Sequence, residues 1–195
     1  MRRTIILLML ALAILSAQNT SLAADKYTID PNHCHIGFSV RHLVINNIRG
    51  RFTDYSGSIV YDEQDVTKSS VEIAIKANSI TTDVKNRDDH LRGSDFFDVA
   101  RFPDITFKST RVEKRDDAFV AVGLFTMHGI SKEIALPFKV NGKSNFQGSA
   151  HLGIEATTTI NRRDFGMTWS ATLDSGGLVV GNDVMIELNI EAVKK

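Results

Sequence analysis

Beyond residue 25 the hydrophobic positions recur with a period of two. In the stretch His35 to Arg41, Ile36, Phe38 and Val40 project to one side while His35, Gly37, Ser39 and Arg41 project to the other. The same alternation returns at Val71 to Lys76, Ile134 to Val140, Leu152 to Ala156 and Val184 to Ile190, so each stretch predicts a strand with one wet face. Residues 26–30, 50–61, 104–113 and 118–127 predict further strands. Turn-rich clusters lie between them at Asp62 to Asp65, Arg115 to Asp117 and Asn141 to Lys143. About eight or nine strands joined by short turns specify an all-β antiparallel sandwich or barrel rather than a βαβ array.

Two segments depart from the pattern. Asp83 to Arg92 is rich in charge and lacks alternation; it predicts a short helical insertion over one end of the barrel, with Asp83 as its cap and Val84 and Leu91 turned inward, followed by Phe96 and Phe97. Phe119 to Met127 is apolar on both faces. Such a strand is either buried on both faces, or covered on the outside by the 83–92 insertion with something apolar inside.

The N-terminus follows a different logic. Arg2 and Arg3 precede an apolar run from Ile5 to Leu15, and a polar stretch then leads to Ala23-Ala24. This is the layout of a secretory signal peptide over residues 1–23, with cleavage after Ala23 or Ala24 and a single domain over 24–195. The run is too short to span a bilayer as a helix, which takes about 20 residues. The expected location is the periplasm, an oxidising compartment in which Cys34, the only cysteine, has no internal partner.

Composition then narrows the function classes. With 43% hydrophobic and 24% charged residues, 13 Gly and only 3 Pro, the 195-residue chain is neither disordered nor fibrous. Its 23 basic and 23 acidic side chains cancel, and removal of Arg2 and Arg3 leaves a mildly acidic mature chain. Nucleic acid is therefore not an expected partner, since phosphate binding calls for a basic excess.

Candidate chemistry is sparse. His33 and His35, placed i and i+2 on a strand, would share a face and chelate a metal, with His151 and Glu155 as sources of a third ligand; the other reading is two surface histidines flanking a buried thiol. Asp88-Asp89-His90 reads as a charged helix face, and His128-Gly129 and Asn161 to Gly166 read as turns. Arg162 and Arg163 are also placed to meet a polar or anionic head group at a barrel mouth. Gly-x-Ser-x-Gly and His-Glu-x-x-His motifs are absent from the sequence, and no catalytic residue is assigned.

Several stretches together resemble the YceI-like family, the lipocalin-like polyisoprenoid-binding proteins of the bacterial periplasm. They are Tyr27 to Phe38, Val40-Arg41-His42, Gly50-Arg51-Phe52, Arg87 to Asp98, Phe102-Pro103, Phe107-Lys108-Ser109, Met127 to Ser131, Asn161 to Gly166 and Gly181 to Val184. The resemblance implies an extended eight-stranded antiparallel barrel whose apolar interior holds a long-chain isoprenoid lipid, a polyprenyl or quinone-type molecule. It implies no cofactor other than that ligand and no enzymatic activity; transient contact with a membrane for lipid exchange is expected because a bilayer offers the same apolar burial as the barrel. One departure is Cys34, where relatives more often carry Ser; the lone thiol is free to be oxidised or to join two copies, which leaves a homodimer open. The expected tunnel wall is Ile36, Phe38 and Val40 with Phe107, Val122, Leu124, Phe138, Ile154 and Ile186. Alternation fixes each strand's faces only relative to each other, not which one points inward. Two other functions stand beside this one: a metal-assisted enzyme built on His33 and His35, and a stress-response surface protein whose lipid is incidental.

Overall fold

The computed structural model describes residues 24–195 apart from Ser175, so the expected signal peptide lies outside the described residues. The strands are β1 (Asp25–Ile29), β2 (His35–His42), β3 (Asn46–Phe52), β4 (Tyr55–Tyr61), β5 (Ser70–Lys76) and β6 (Ile80–Thr81), followed by helix α1 (Lys85–Arg92). After α1 come β7 (Asp104–Arg115), β8 (Ala118–Met127), β9 (Ile130–Phe146), β10 (Ser149–Asn161), β11 (Thr172–Leu173), β12 (Gly177–Leu178) and β13 (Val180–Lys194).

Eight of these strands close a barrel in the order β1-β4-β5-β7-β8-β9-β10-β13, with β13 returning to β1, and every pairing is antiparallel. The eight-stranded antiparallel barrel expected from the sequence is therefore present. β13 is the organising strand because it is long enough to serve two partners on one side. Its C-terminal part pairs with β1, where Lys194 faces Tyr27, and its N-terminal part pairs with β2, where Asn189 faces His35 and Val180 faces His42. Between β1 and β2 the chain turns through a 3-10 segment at Pro31–His33, fixed by the Asp30 carboxylate accepting the Asn32 N–H at 3.0 Å.

β2 leads outward to β3, and the end of β3 pairs with β6, where Phe52 faces Ile80. This branch leaves a gap in the wall between β6 and β7 at one end of the barrel, where α1 and the segment 93–103 lie. That end, with the β2–β3 and β8–β9 turns, is called upper; the turns at 62–69, 116–117 and 147–148 mark the lower end.

Three expectations change. The stretch 50–61 is two strands, because β3 belongs to the β2–β6 branch and β4 to the closed barrel, with a corner at Thr53 whose N–H donates to the Ser79 carbonyl at 3.3 Å. Asn141 to Lys143 is not a turn: β9 runs on to Phe146, and Asn141 is the extra residue of a bulge, since Gly153 pairs with Gly142 and Ile154 with Val140. The turn comes at Gln147 and Gly148, both at positive φ (50° and 82°), the backbone a tight hairpin needs.

The third change concerns α1. Asp83 does not cap it; the cap position is Val84, which makes no side-chain bond and is exposed, while Asp83 pairs with Arg51 at 3.0 Å. Asp88 is not on a solvated face either. Its carboxylate is buried and accepts from Thr81 Oγ1 (2.9 Å), from the Thr82 N–H (2.8 Å) and from Thr82 Oγ1. Arg87 donates to Thr82 and Arg92 donates to the Asn78 and Ile80 carbonyls, so polar bonds fasten the helix to β6. Desolvation raises the Asp88 pKa, but the threonine donors and the Arg92 charge outweigh it and hold the carboxyl below its ordinary value.

Candidate functional site

The barrel interior contains two cavities lying end to end. The upper one, of about 140 Å³, is walled by Ile36, Phe38, Val40, Phe107, Ile160 and Ile186 among others, and is bordered above by Leu91, Phe96, Phe97 and Met167. The lower one, of about 60 Å³, is walled by Ile59, Tyr61, Val112, Ala121, Phe138, Ile154 and Ile190. Ile73, Leu136 and Leu188 line both and form the waist. On β10 the wall runs from Ile160 above to Ile154 below. Six residues at about 3.4 Å each, tilted by about 40°, give an axial length of about 15 Å. The two cavities together mark out a slender apolar space along the barrel axis rather than a globular pocket.

The wall follows from strand parity. On β10, Ile154, Ala156, Thr158 and Ile160 share the inner face, and on β13 Val184, Ile186, Leu188 and Ile190 do so. Aromatic rings narrow the upper part: Phe52 packs against Phe38 at 6.0 Å between centroids and edge-on against Phe97 at 5.8 Å. Polar wall residues are turned away from the space. Thr158 Oγ1 donates to the Ala135 carbonyl at 3.2 Å. Arg162 is 97% buried, and its guanidinium donates to the carbonyls of Gly181 (2.9 Å), Met167 (2.7 Å) and Val180 (3.4 Å) and to Asn182 Oδ1 (3.3 Å). Burial depresses its pKa, with the neighbouring Arg163 adding to the effect, yet a guanidinium stays charged throughout the working range. Arg162 is thus a clamp between the turn after β10 and the start of β13, not the open head-group contact expected at a barrel mouth. What the channel offers an occupant is apolar surface.

Seven of the nine expected wall residues line the space: Ile36, Phe38, Val40, Phe107 and Ile186 the upper chamber, Phe138 and Ile154 the lower. Val122 and Leu124 do not. On β8 the channel is lined by Ala121, Phe125 and Met127, which places Val122 and Leu124 outside, and Leu124 is half exposed. The outer face of β8 is apolar, and α1 packs against β6 instead of covering it. Val120 and Val122 are buried beside their cross-strand neighbours Glu113 and Arg111 on one flank and Pro137 and Ala135 on the other, and Arg111 is held by Glu113 (2.6 Å) and Glu133 (3.2 Å). Sequence reasoning missed Leu136, Leu188 and Ile160, although each shares strand parity with a residue it chose. It also missed Phe52 and Met167, for which no periodic signal exists.

The histidine pair does not form. His33 lies in the 3-10 turn and His35 opens β2, so the two are not i and i+2 on one strand face. His33 instead meets Asp30 at 2.8 Å, and His151 meets Glu191 at 2.8 Å; Asp30, His33 and Glu191 lie with their donor atoms within 4.8 Å of one another. Glu155 is elsewhere, near Lys139 and Asn141. Each carboxylate of the group is already engaged by a histidine. The bond from His33 lowers the Asp30 pKa, and the same bond raises that of His33. Cys34 packs against the core beside them, its thiol donating to the Glu191 carbonyl (3.2 Å) and accepting the Glu191 N–H (3.1 Å), and burial pushes its pKa up.

A closed eight-stranded antiparallel barrel with apolar cavities inside it defines the class of closed antiparallel β-barrels, whose interior offers space to a small or slender ligand. Within that class the chain belongs to the YceI-like family, whose domain matches residues 27–192. A UPF0312 protein of Yersinia pestis (strain Pestoides F) is 36% identical over 159 residues, covering 80% of this chain and 82% of its own, and one of Yersinia enterocolitica is 34% identical over 177 residues, covering 89% of each. Among solved structures, the YceI protein of Campylobacter jejuni superposes with a TM-score of 0.68 at 31% identity over 80% of this chain and 90% of its own. A polyisoprenoid-binding domain from Saccharophagus degradans, implicated in plant cell wall breakdown, shares the fold with a TM-score of 0.65 at 14% identity, covering 87% and 98%.

Proposed function

We propose that the protein is exported to the periplasm, where it carries or sequesters a long-chain isoprenoid lipid of the polyprenyl or quinone type inside the barrel, acting by binding and not by catalysis. The observation that carries this reading is the pair of cavities: slender, aligned end to end with Ile73, Leu136 and Leu188 shared between them, and walled by hydrocarbon. A long unbranched or methyl-branched chain fits such a space, whereas a compact polar metabolite would leave its hydrogen-bonding groups unpaired. The Saccharophagus neighbour adds a precedent for isoprenoid binding on this fold. Export is supported by the order of basic start, apolar run and small-residue pair in residues 2–24.

The energetics favour a carrier over a trap. Burying a prenyl chain gains about 0.8 kcal/mol per carbon relative to water, so the roughly 15 carbons that three extended prenyl units place in about 15 Å gain about 12 kcal/mol, within the practical ceiling of about 21 kcal/mol for any complex. A bilayer offers the same apolar burial, so transfer from membrane to barrel leaves little net gain from that contribution. Cargo therefore exchanges, and membrane contact is where it does so. Purification from native-like cells followed by mass spectrometry of the organic extract tests the reading. A long-chain isoprenoid near one per protein is the expected result; protein recovered folded from the periplasmic fraction without lipid would overturn it.

A further inference from the structure

The turn joining β2 to β3 combines two features that a water-facing hairpin tip avoids. It is apolar, Leu43-Val44-Ile45, with Val44 59% and Ile45 81% exposed. It is also strained: Leu43 and Val44 sit at φ of 51° and 64°, the left-handed region that suits Gly or Asn and disfavours a β-branched residue. The turn is nevertheless well fixed, by Leu43 N–H donating to the Val179 carbonyl (2.9 Å) and Ile45 N–H to the His42 carbonyl (3.2 Å).

Its surroundings say what would cover it. The strand positions leading to it belong to the channel: Val40 lines the upper chamber opposite Val184, and Val180, also in the wall, pairs with His42. The outward face of the same hairpin carries Arg41 and Arg49, neither of which pairs with a carboxylate among the described residues, whereas Arg51 further along does pair, with Asp83. Ile130 and Val84, both partly exposed, belong to the same end of the barrel. An exposed aliphatic tip flanked by unpaired guanidinium groups complements a bilayer that is apolar within and anionic at its surface.

We propose that the Leu43–Ile45 turn inserts into an anionic lipid bilayer, and so sets the upper end of the barrel against the membrane from which cargo is loaded. The proposal rests on the isoprenoid-carrier reading and names the surface that reading requires. It is tested by co-sedimentation of the mature protein with phosphatidylcholine vesicles with and without phosphatidylglycerol. The Val44→Asn, Ile45→Ser double variant should lower binding to the anionic vesicles by at least about tenfold, the least expected from withdrawing two aliphatic side chains. It should fold at least as well as the wild type, because Asn accepts the left-handed backbone at 44. Arg41→Gln with Arg49→Gln should abolish the preference for phosphatidylglycerol, and Phe146→Ser, at the opposite end, should change nothing.

Wild-type binding by the double variant would overturn the proposal. So would a wild-type protein that carries isoprenoid yet ignores both vesicles, an outcome that leaves the carrier reading standing. So, too, would concentration-dependent self-association abolished by the double variant, which would make a second copy the occupant of the tip. Turn-dependent vesicle binding by a protein whose extracts hold no lipid would instead support the insertion and overturn the carrier reading.

Discussion

Leu188→Trp places an indole at the waist, where the side chain of residue 188 borders both chambers. The lower chamber holds about 60 Å³ against about 140 Å³ above, so the plug removes under a third of the channel while leaving the upper part open. A single five-carbon prenyl unit excluded from the lower chamber forfeits about 4 kcal/mol relative to water at about 0.8 kcal/mol per carbon, close to a thousandfold in Kd. Overpacking costs the fold about 1–3 kcal/mol, less where the indole enters existing space. Competition of a long-chain and a short-chain prenol against a fluorescent reporter reads the effect directly. The wild type should prefer the long chain strongly and the variant should lose that preference, with short-chain binding kept. A folded variant that retains the full preference would refute the reasoning, because the chain would then not pass the waist.

Other predictions follow from the scaffold. Asp88→Ala leaves the Thr82 N–H without its buried acceptor and loosens α1 on β6, where only the Arg87 and Arg92 bonds remain, so it should destabilise by about 2–4 kcal/mol in urea unfolding and speed ligand release through the upper end. Gly123→Ala would put a Cβ 2.2 Å from the Lys108 carbonyl oxygen on the neighbouring strand, and should cost about 3 kcal/mol or more by the same measurement. The Asp30–His33 pair gives a pH signature. Asp30, lowered from 3.8, contributes stability above that pH and loses it as pH falls through the lowered value; His33, raised from 6.5, contributes fully below 6.5 and loses it as pH rises through the raised value. The difference in Tm between wild type and His33→Ala should therefore be largest between about pH 4 and 6.5 and shrink on either side.

Alternation made the barrel legible because an antiparallel strand with one buried face must repeat every two residues, and β2, β10 and residues 184–192 of β13 do so. It could not say which face of β8 points inward. Val120 and Val122 outside are as apolar as Ala121 and Phe125 inside, and only the packing beside Arg111 distinguishes them. The Thr53 corner was invisible for a related reason: the residues on both sides are strand-like, and what separates β3 from β4 is the partner each one finds. Asn141-Gly142 carries a turn signal that is locally sound, yet a bulge uses the same residues to absorb an extra position while β9 continues. Asp88 and Arg162 read as surface charges because sequence shows neither the threonines nor the carbonyls that satisfy them once buried.

The central claim is that the occupied site is the channel inside the barrel. A diazirine-bearing long-chain isoprenoid, loaded onto the mature protein, photolysed and mapped by peptide mass spectrometry, tests that claim most directly. Cross-links at Ile73, Leu136 and Leu188, where the two chambers meet, are the predicted result. Cross-links confined to outward residues such as Leu124 would contradict it.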